Sequence, residues 1–225
     1  MEPVPFLLEI LLPALWQGLI ITVALVMLTA PFGLLLGTGI ALGRQYGGRA
    51  LRAACSGYVI FFKGCPLLLL LFMIYFGLPS LGVTLPAFTA AVLGFILCNA
   101  AYNSEYIRGA IASIKDGQMI AAQALGMTRA QAIETIILPQ AMRRAIPGLA
   151  NEFIYLIKYS SLAYMITVIE LSGAAKIVAT KYFMYNESFL AVGIVYLALV
   201  TLTTYGVDKL EKRYAVPGTG AGNVQ

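Results

Sequence analysis

Lys63, Glu152 and Lys158 stand inside stretches that are otherwise apolar enough to cross a bilayer. An ionised side chain at the centre of a membrane helix costs roughly 2.5 kcal/mol or more, so each needs an opposite charge, a helix end or a wet cavity. Two chemistries meet that need. A zwitterionic solute would bring a carboxylate to Lys63 or Lys158 and an amino group to Glu152, with Ser160 and Ser161 adding hydroxyls along the same passage. Alternatively, Glu152 and Lys158 pair with each other or with helix ends, although their spacing is not the i,i+4 of facing neighbours. Several kinds of catalysis drop out. The chain has no histidine, which removes histidine-based triads and most imidazole metal sites. Cys55, Cys65 and Cys98 fall in apolar runs without metal-ligand spacing and read as small core residues. No GxxxxGK[ST] phosphate loop is present, so no cofactor is expected in this chain, and any ATP-Mg site belongs to another subunit.

The elements that must position these groups are membrane helices. Of the 225 residues 60% are hydrophobic and only 11% charged, and the mean hydropathy is +0.85, far from a soluble domain. The spacing predicts an all-α, integral membrane protein of five spans forming a single domain over residues 1–215. Residues 1–17 carry only Glu2 and Glu9 as charges and lack the basic start of a cleavable signal peptide. Pro3, Pro5 and Pro13 predict an interfacial lead-in there, with Trp16 at the headgroups. The first span is expected over 19–42, and the second over 53–78. Lys63-Gly64-Cys65-Pro66 should break the second near mid-membrane, either to open a cavity or as a packing kink with Lys63 snorkelling. Residues 79–86 read as a turn, 87–102 as a third span running on to Glu105 and Arg108, and 146–168 as a fourth. A loop over 171–187, a fifth span over 189–205 and a disordered tail over 216–225 complete the chain.

Between the third and fourth spans lies a segment of different character, residues 116–139, reading DGQMIAAQALGMTRAQAIETIILP. Asp116 is expected to cap a short helix rich in alanine, and Gly126 to end it. A second short helix from Thr128 would carry Ala132, Ile133 and Ile136 on one face until Pro139 stops it. Basic residues give the orientation. With the amino terminus outside, the inner loops hold Arg44, Arg49, Arg52, Arg108, Lys115, Arg129, Arg143, Arg144, Lys209, Lys212 and Arg213, against Lys176 and Lys181 outside. That bias predicts a cytoplasmic 116–139 segment and explains the net charge of +5 without nucleic acid, since no basic stripe with interleaved aromatics exists.

The same segment resembles the coupling loop of ABC-importer permeases, whose pattern is Glu-Ala-Ala, three residues, Gly, nine residues, then Ile-x-Leu-Pro. Ala121 and Ala122 hold the alanine places, Gly126 the glycine, and Ile136, Leu138 and Pro139 the closing triplet. Tyr102-Asn103-Ser104-Glu105-Tyr106-Ile107-Arg108-Gly109 and the run from Pro139 to Pro147 are similar to the polar amino-acid subfamily, of the histidine, glutamine and arginine type. Two departures stand out. Ile120 occupies the glutamate place, and Tyr159 stands where the Lys-Asp-Thr-Ser-Leu word has aspartate.

The resemblance implies a type I ABC importer permease in the bacterial inner membrane. It implies contact with a separate ATPase dimer through Ile120, Ala121, Ala122, Leu125, Gly126, Arg129, Ile136, Leu138 and Pro139. A second permease subunit and a periplasmic or lipid-tethered amino-acid-binding protein are implied as further partners. From the residues alone a self-contained secondary transporter or channel stays open, though no inverted repeat is evident.

Overall fold

The computed structural model describes residues 5–214, all of whose regular structure is helical. The sequence-predicted tail over 216–225 lies outside the described residues. A π-helical turn, Phe6–Leu11, runs without interruption into α1, Leu12–Tyr46. From Phe6 onward the proposed interfacial lead-in is therefore corrected to continuous helix, while Pro3 lies outside the described residues. Pro13 sits at the junction of the π turn and α1, and the backbone stays helical through it. The joined helix has 41 residues, about 60 Å at 1.5 Å per residue, twice the hydrocarbon thickness, so it overshoots the bilayer.

After α1 come α2, Arg49–Gly64, and α3, Leu67–Phe72, which is extended by π and 3₁₀ turns to Leu81. The break predicted at Lys63-Gly64-Cys65-Pro66 is present, and the axes there bend by 103°. Cys65 and Pro66 are both extended at ψ 128°, as the residue before a proline prefers, so the helix cannot pass through. Next follow α4, Ala87–Ala112; α5, Gly117–Ala124; α6, Arg129–Ala132; and α7, Leu138–Tyr159. A π turn, Ile133–Ile137, joins α6 directly to α7, so Pro139 does not stop a helix as the sequence predicted but lies in the first turn of the next. The helix that carries the fourth span accordingly begins well before residue 146.

A 3₁₀ stretch, Ser160–Ile166, leads to α8, Leu171–Tyr182, and then α9, Tyr185–Tyr214. The expected loop over 171–187 is thus mostly helix. Glu170 caps α8: its carboxylate, fully buried, accepts from the amides of Ser172 at 2.9 Å and Gly173 at 2.8 Å and from the Tyr196 hydroxyl at 2.9 Å. Among the described residues three helices are long and apolar enough to cross a membrane alone, and the count reaches five when the two bent pairs each make one span.

The bundle centres on α1 against α4, and glycines set their separation. A Cβ on Gly37 would stand 2.8 Å from the Ala100 carbonyl oxygen, and one on Gly33 would run into Asn99 Oδ1, which accepts from Asn103 Nδ2 at 2.7 Å. Close backbone approach of this kind replaces the hydrophobic drive that lipid cannot supply. Replacing Gly33 with leucine should therefore prise the pair apart and cost about 1–3 kcal/mol as overpacking does. The expected result is a thermal unfolding midpoint in detergent clearly below wild type; an unchanged midpoint would show that the α1–α4 contact tolerates separation.

Candidate functional site

The segment at 116–139 is a helical corner built from local rules. At the end of α5 the Gly126 amide donates to the Gln123 carbonyl at 2.9 Å and the Met127 amide to that of Ala122 at 3.1 Å. These two bonds form a Schellman motif, and Gly126, at φ +86°, supplies the left-handed residue it requires. Two residues later a capping box opens α6: the Gln131 amide donates to Thr128 Oγ1 at 3.3 Å, and the Thr128 amide to Gln131 Oε1 at 2.8 Å. Asp116, expected as the cap of α5, accepts no capping bond.

Burial sorts the predicted contact residues into two sets. Ile120 is 66% exposed and Leu125 84%, with Ala121 and Arg129 also outward, so the corner presents an apolar tip. Ala122 instead points inward, 2% exposed, while Ile136 and Leu138 are half-buried and Pro139 is exposed. The tie to the membrane helices runs mainly through residues the sequence did not single out. Ile137 and Ile114 are buried with Ile107, Ile111 and Ala141 in one apolar cluster, against which Met119 packs.

The intramembrane charges are not gathered at one point. Lys63 is exposed, its Nζ 5.4 Å from the Tyr102 ring centre, and Lys158 is exposed with Nζ 5.2 Å from that of Tyr155. Glu152, only 3% exposed, forms an ion pair with neither. Its Oε1 accepts from the Tyr159 hydroxyl at 3.0 Å and from Asn99 Nδ2 at 3.3 Å. The Glu152–Lys158 pair considered from sequence does not form: among the described residues the ion pairs are Glu105 with Arg44 at 2.7 Å and with Arg108 at 3.0 Å. Tyr159, standing in the aspartate place, thus serves the buried carboxylate rather than the lysine beside it. Ser160 is buried, and both serine hydroxyls donate to carbonyls one turn back, Ser160 to Ile157 and Ser161 to Lys158. Lys158 and Ser161 share a groove of about 560 Å³ with Ser172 and Tyr196, and that groove includes neither Lys63 nor Glu152.

A family model described as "Binding-protein-dependent transport system inner membrane component" matches residues 30–216. The chain belongs to this family. It is similar to a probable amino-acid ABC transporter permease protein, YckA of Bacillus subtilis, at 42% identity over 183 residues, 81% of each chain. A second relative, the probable amino-acid ABC transporter permease protein PatM of Vibrio harveyi, is 40% identical over 211 residues, 91% of this chain and 95% of its own. Among solved structures, an amino acid ABC transporter crystallised with histidines superposes with a TM-score of 0.86 at 32% identity, covering 95% of this chain and 99% of that one. The methionine transporter MetNI, at 20% identity and a TM-score of 0.78, shares the fold. The fold is that of a type I ABC importer permease, and the protein is a membrane transport subunit.

Proposed function

We propose that this chain forms half of the translocation path of an ATP-driven amino-acid importer in the bacterial inner membrane, and that the corner at residues 117–132 docks on a separate ATPase dimer carrying the ATP-Mg site. The observation that carries this reading is the exposed tip of Ile120, Ala121 and Leu125, held rigid by a Schellman motif on one side and a capping box on the other. A flexible or fully polar loop would transmit little force. A periplasmic or lipid-tethered binding protein delivers the solute, in keeping with the family description and the names of the relatives. Lys63 and Lys158, exposed and each stacked on a tyrosine, are the groups that meet the solute carboxylate. Uptake in vesicles containing this chain, its cognate ATPase and its binding protein should stop on ATP depletion. Uptake that outlasts ATP but collapses with the proton gradient would refute the reading.

The bias of basic residues toward one set of loops supports an amino terminus outside and a carboxyl terminus in the cytoplasm. A cysteine placed at Thr128 should resist an impermeant reagent applied to intact cells; outside labelling would reverse the orientation. The second permease subunit is a non-identical chain. Ile120 offers no carboxylate to the helix start or to the ATPase, and a symmetric pair would lack it twice. Subunit mass analysis of the purified transporter decides this, since a coupled complex with two copies of this chain excludes the heterodimer.

A further inference from the structure

A cleft of about 320 Å³ opens where the ends of α1 and α4 meet the helical corner. Ile114 and Ile137 form part of its apolar floor, and Gln45, Tyr46, Lys115, Asp116 and Arg129 its polar rim. The volume is at the lower end of the roughly 300–1,000 Å³ typical of small-molecule sites. The charges around it are uncommitted. Asp116 occupies the cap position of α5 without capping it. Neither Asp116, Lys115 nor Arg129 enters an ion pair, since the pairs formed among the described residues are those of Glu105. Arg129 is held by a ring instead, its guanidinium 5.5 Å from the Tyr46 ring centre.

Two cations and one carboxylate that converge on a cleft without pairing with one another match a ligand carrying both signs of charge. A simple anion would leave Asp116 opposed, and a simple cation would meet two like charges. We propose that the cleft binds a free α-amino acid, its carboxylate between Lys115 and Arg129, its ammonium on Asp116 and its side chain over Ile114 and Ile137. The proposal rests on the amino-acid import reading for its choice of ligand, but shares no residue with Lys63, Lys158 or the groove beside Ser161. A ligand seated there bridges Gln45 and Tyr46 at the end of α1 to Lys115, Asp116 and Arg129. Occupancy therefore ties the corner to the membrane helices and restrains its movement, which makes the cleft a place where delivered solute acts back on transport.

Hydrogen–deuterium exchange on the purified permease–ATPase complex in nanodiscs tests this, with glutamine as probe. At a glutamine concentration about ten times its dissociation constant, amides over 114–120 and 128–132 should exchange roughly tenfold more slowly. Acetate and methylamine at the same concentration should give no protection, and Asp116→Asn should lose the protection by glutamine. Protection by acetate alone, retention in Asp116→Asn, or no protection by glutamine would each overturn the proposal. So would glutamine-dependent protection that appears only after the ATPase is removed, because the ATPase would then fill the cleft. Wild-type uptake in proteoliposomes separates the two readings. ATP-driven amino-acid import without cleft protection defeats only the cleft; cleft protection without ATP-driven import defeats only the importer.

Discussion

Replacing Gly126 with valine should leave membrane insertion intact and lower substrate-stimulated ATPase activity roughly tenfold. Gly126 lies at φ +86° with open space where a Cβ would stand, so this chain offers no steric objection to a side chain. The objection is in the backbone: an L-residue in the left-handed region costs roughly 1–2 kcal/mol, and a β-branched one has most difficulty adopting it. Relaxation of that strain would break the paired bonds from Gly126 to Gln123 and from Met127 to Ala122, turning the tip of Ile120 and Leu125 away. One to two kcal/mol corresponds to about a five- to thirtyfold change in an equilibrium, hence the tenfold expectation. Gly126→Asn separates the corner from the groove it enters. Asparagine accepts the left-handed region, so its ATPase stimulation should stay close to wild type, whereas Gly126→Trp adds bulk toward the ATPase and should fail with valine. If valine couples as well as asparagine does, the corner conformation is not what transmits the stroke.

Much of that corner is legible in the amino-acid sequence. Gly126 and Thr128 with Gln131 are residue types whose backbone demands are local, and the fold meets them within a few residues of where their spacing puts them. The sharp bend at Cys65-Pro66 is legible for the same reason. Sequence reasoning fails where tertiary contacts override local punctuation. Pro139 reads as a stop, yet a proline is equally at home in the first turn of a helix, and only the π turn before it joins the two. Helix α8 carries Leu171, Ala174, Ala175, Val178 and Ala179 at helical spacing, but Lys176 and Lys181 between them give the stretch the polarity of a loop. Its start depends on Glu170, whose partners Ser172, Gly173 and Tyr196 span two elements that no local pattern connects. The site is harder still. Lys63 and Lys158 are visible as costly charges, but Tyr102 and Tyr155, the rings that hold them, look like ordinary span residues.

Glu152 is where the structure departs furthest from a sequence-based expectation, and the next expected result follows from it. A carboxylate meant for the solute ammonium should face the passage, but Glu152 is 3% exposed and engaged by Tyr159 from its own helix and Asn99 from α4. Asn99 in turn accepts from Asn103 and sits against Gly33 of α1, so this network binds three helices. Glu152→Leu strands the Tyr159 hydroxyl and the Asn99 amide in an apolar interior, at roughly 1–3 kcal/mol for each unpaired group. The yield of assembled complex should fall sharply. Glu152→Gln keeps an acceptor oxygen for both donors, and should assemble normally and transport within about threefold of wild type. The lysines should behave in the opposite way. Lys158→Met removes no buried bond, since Lys158 stacks on Tyr155 at the surface, so assembly should be unaffected while the KM for uptake rises. A charge-assisted contact is worth about 1.5–3 kcal/mol, which predicts a rise of roughly ten- to hundredfold, larger still with Lys63→Met added. Measuring KM and complex yield for all four variants distinguishes the roles. A Glu152→Gln protein that assembles but cannot transport would return Glu152 to the passage, and a Lys63→Met, Lys158→Met protein with wild-type KM would remove both lysines from it.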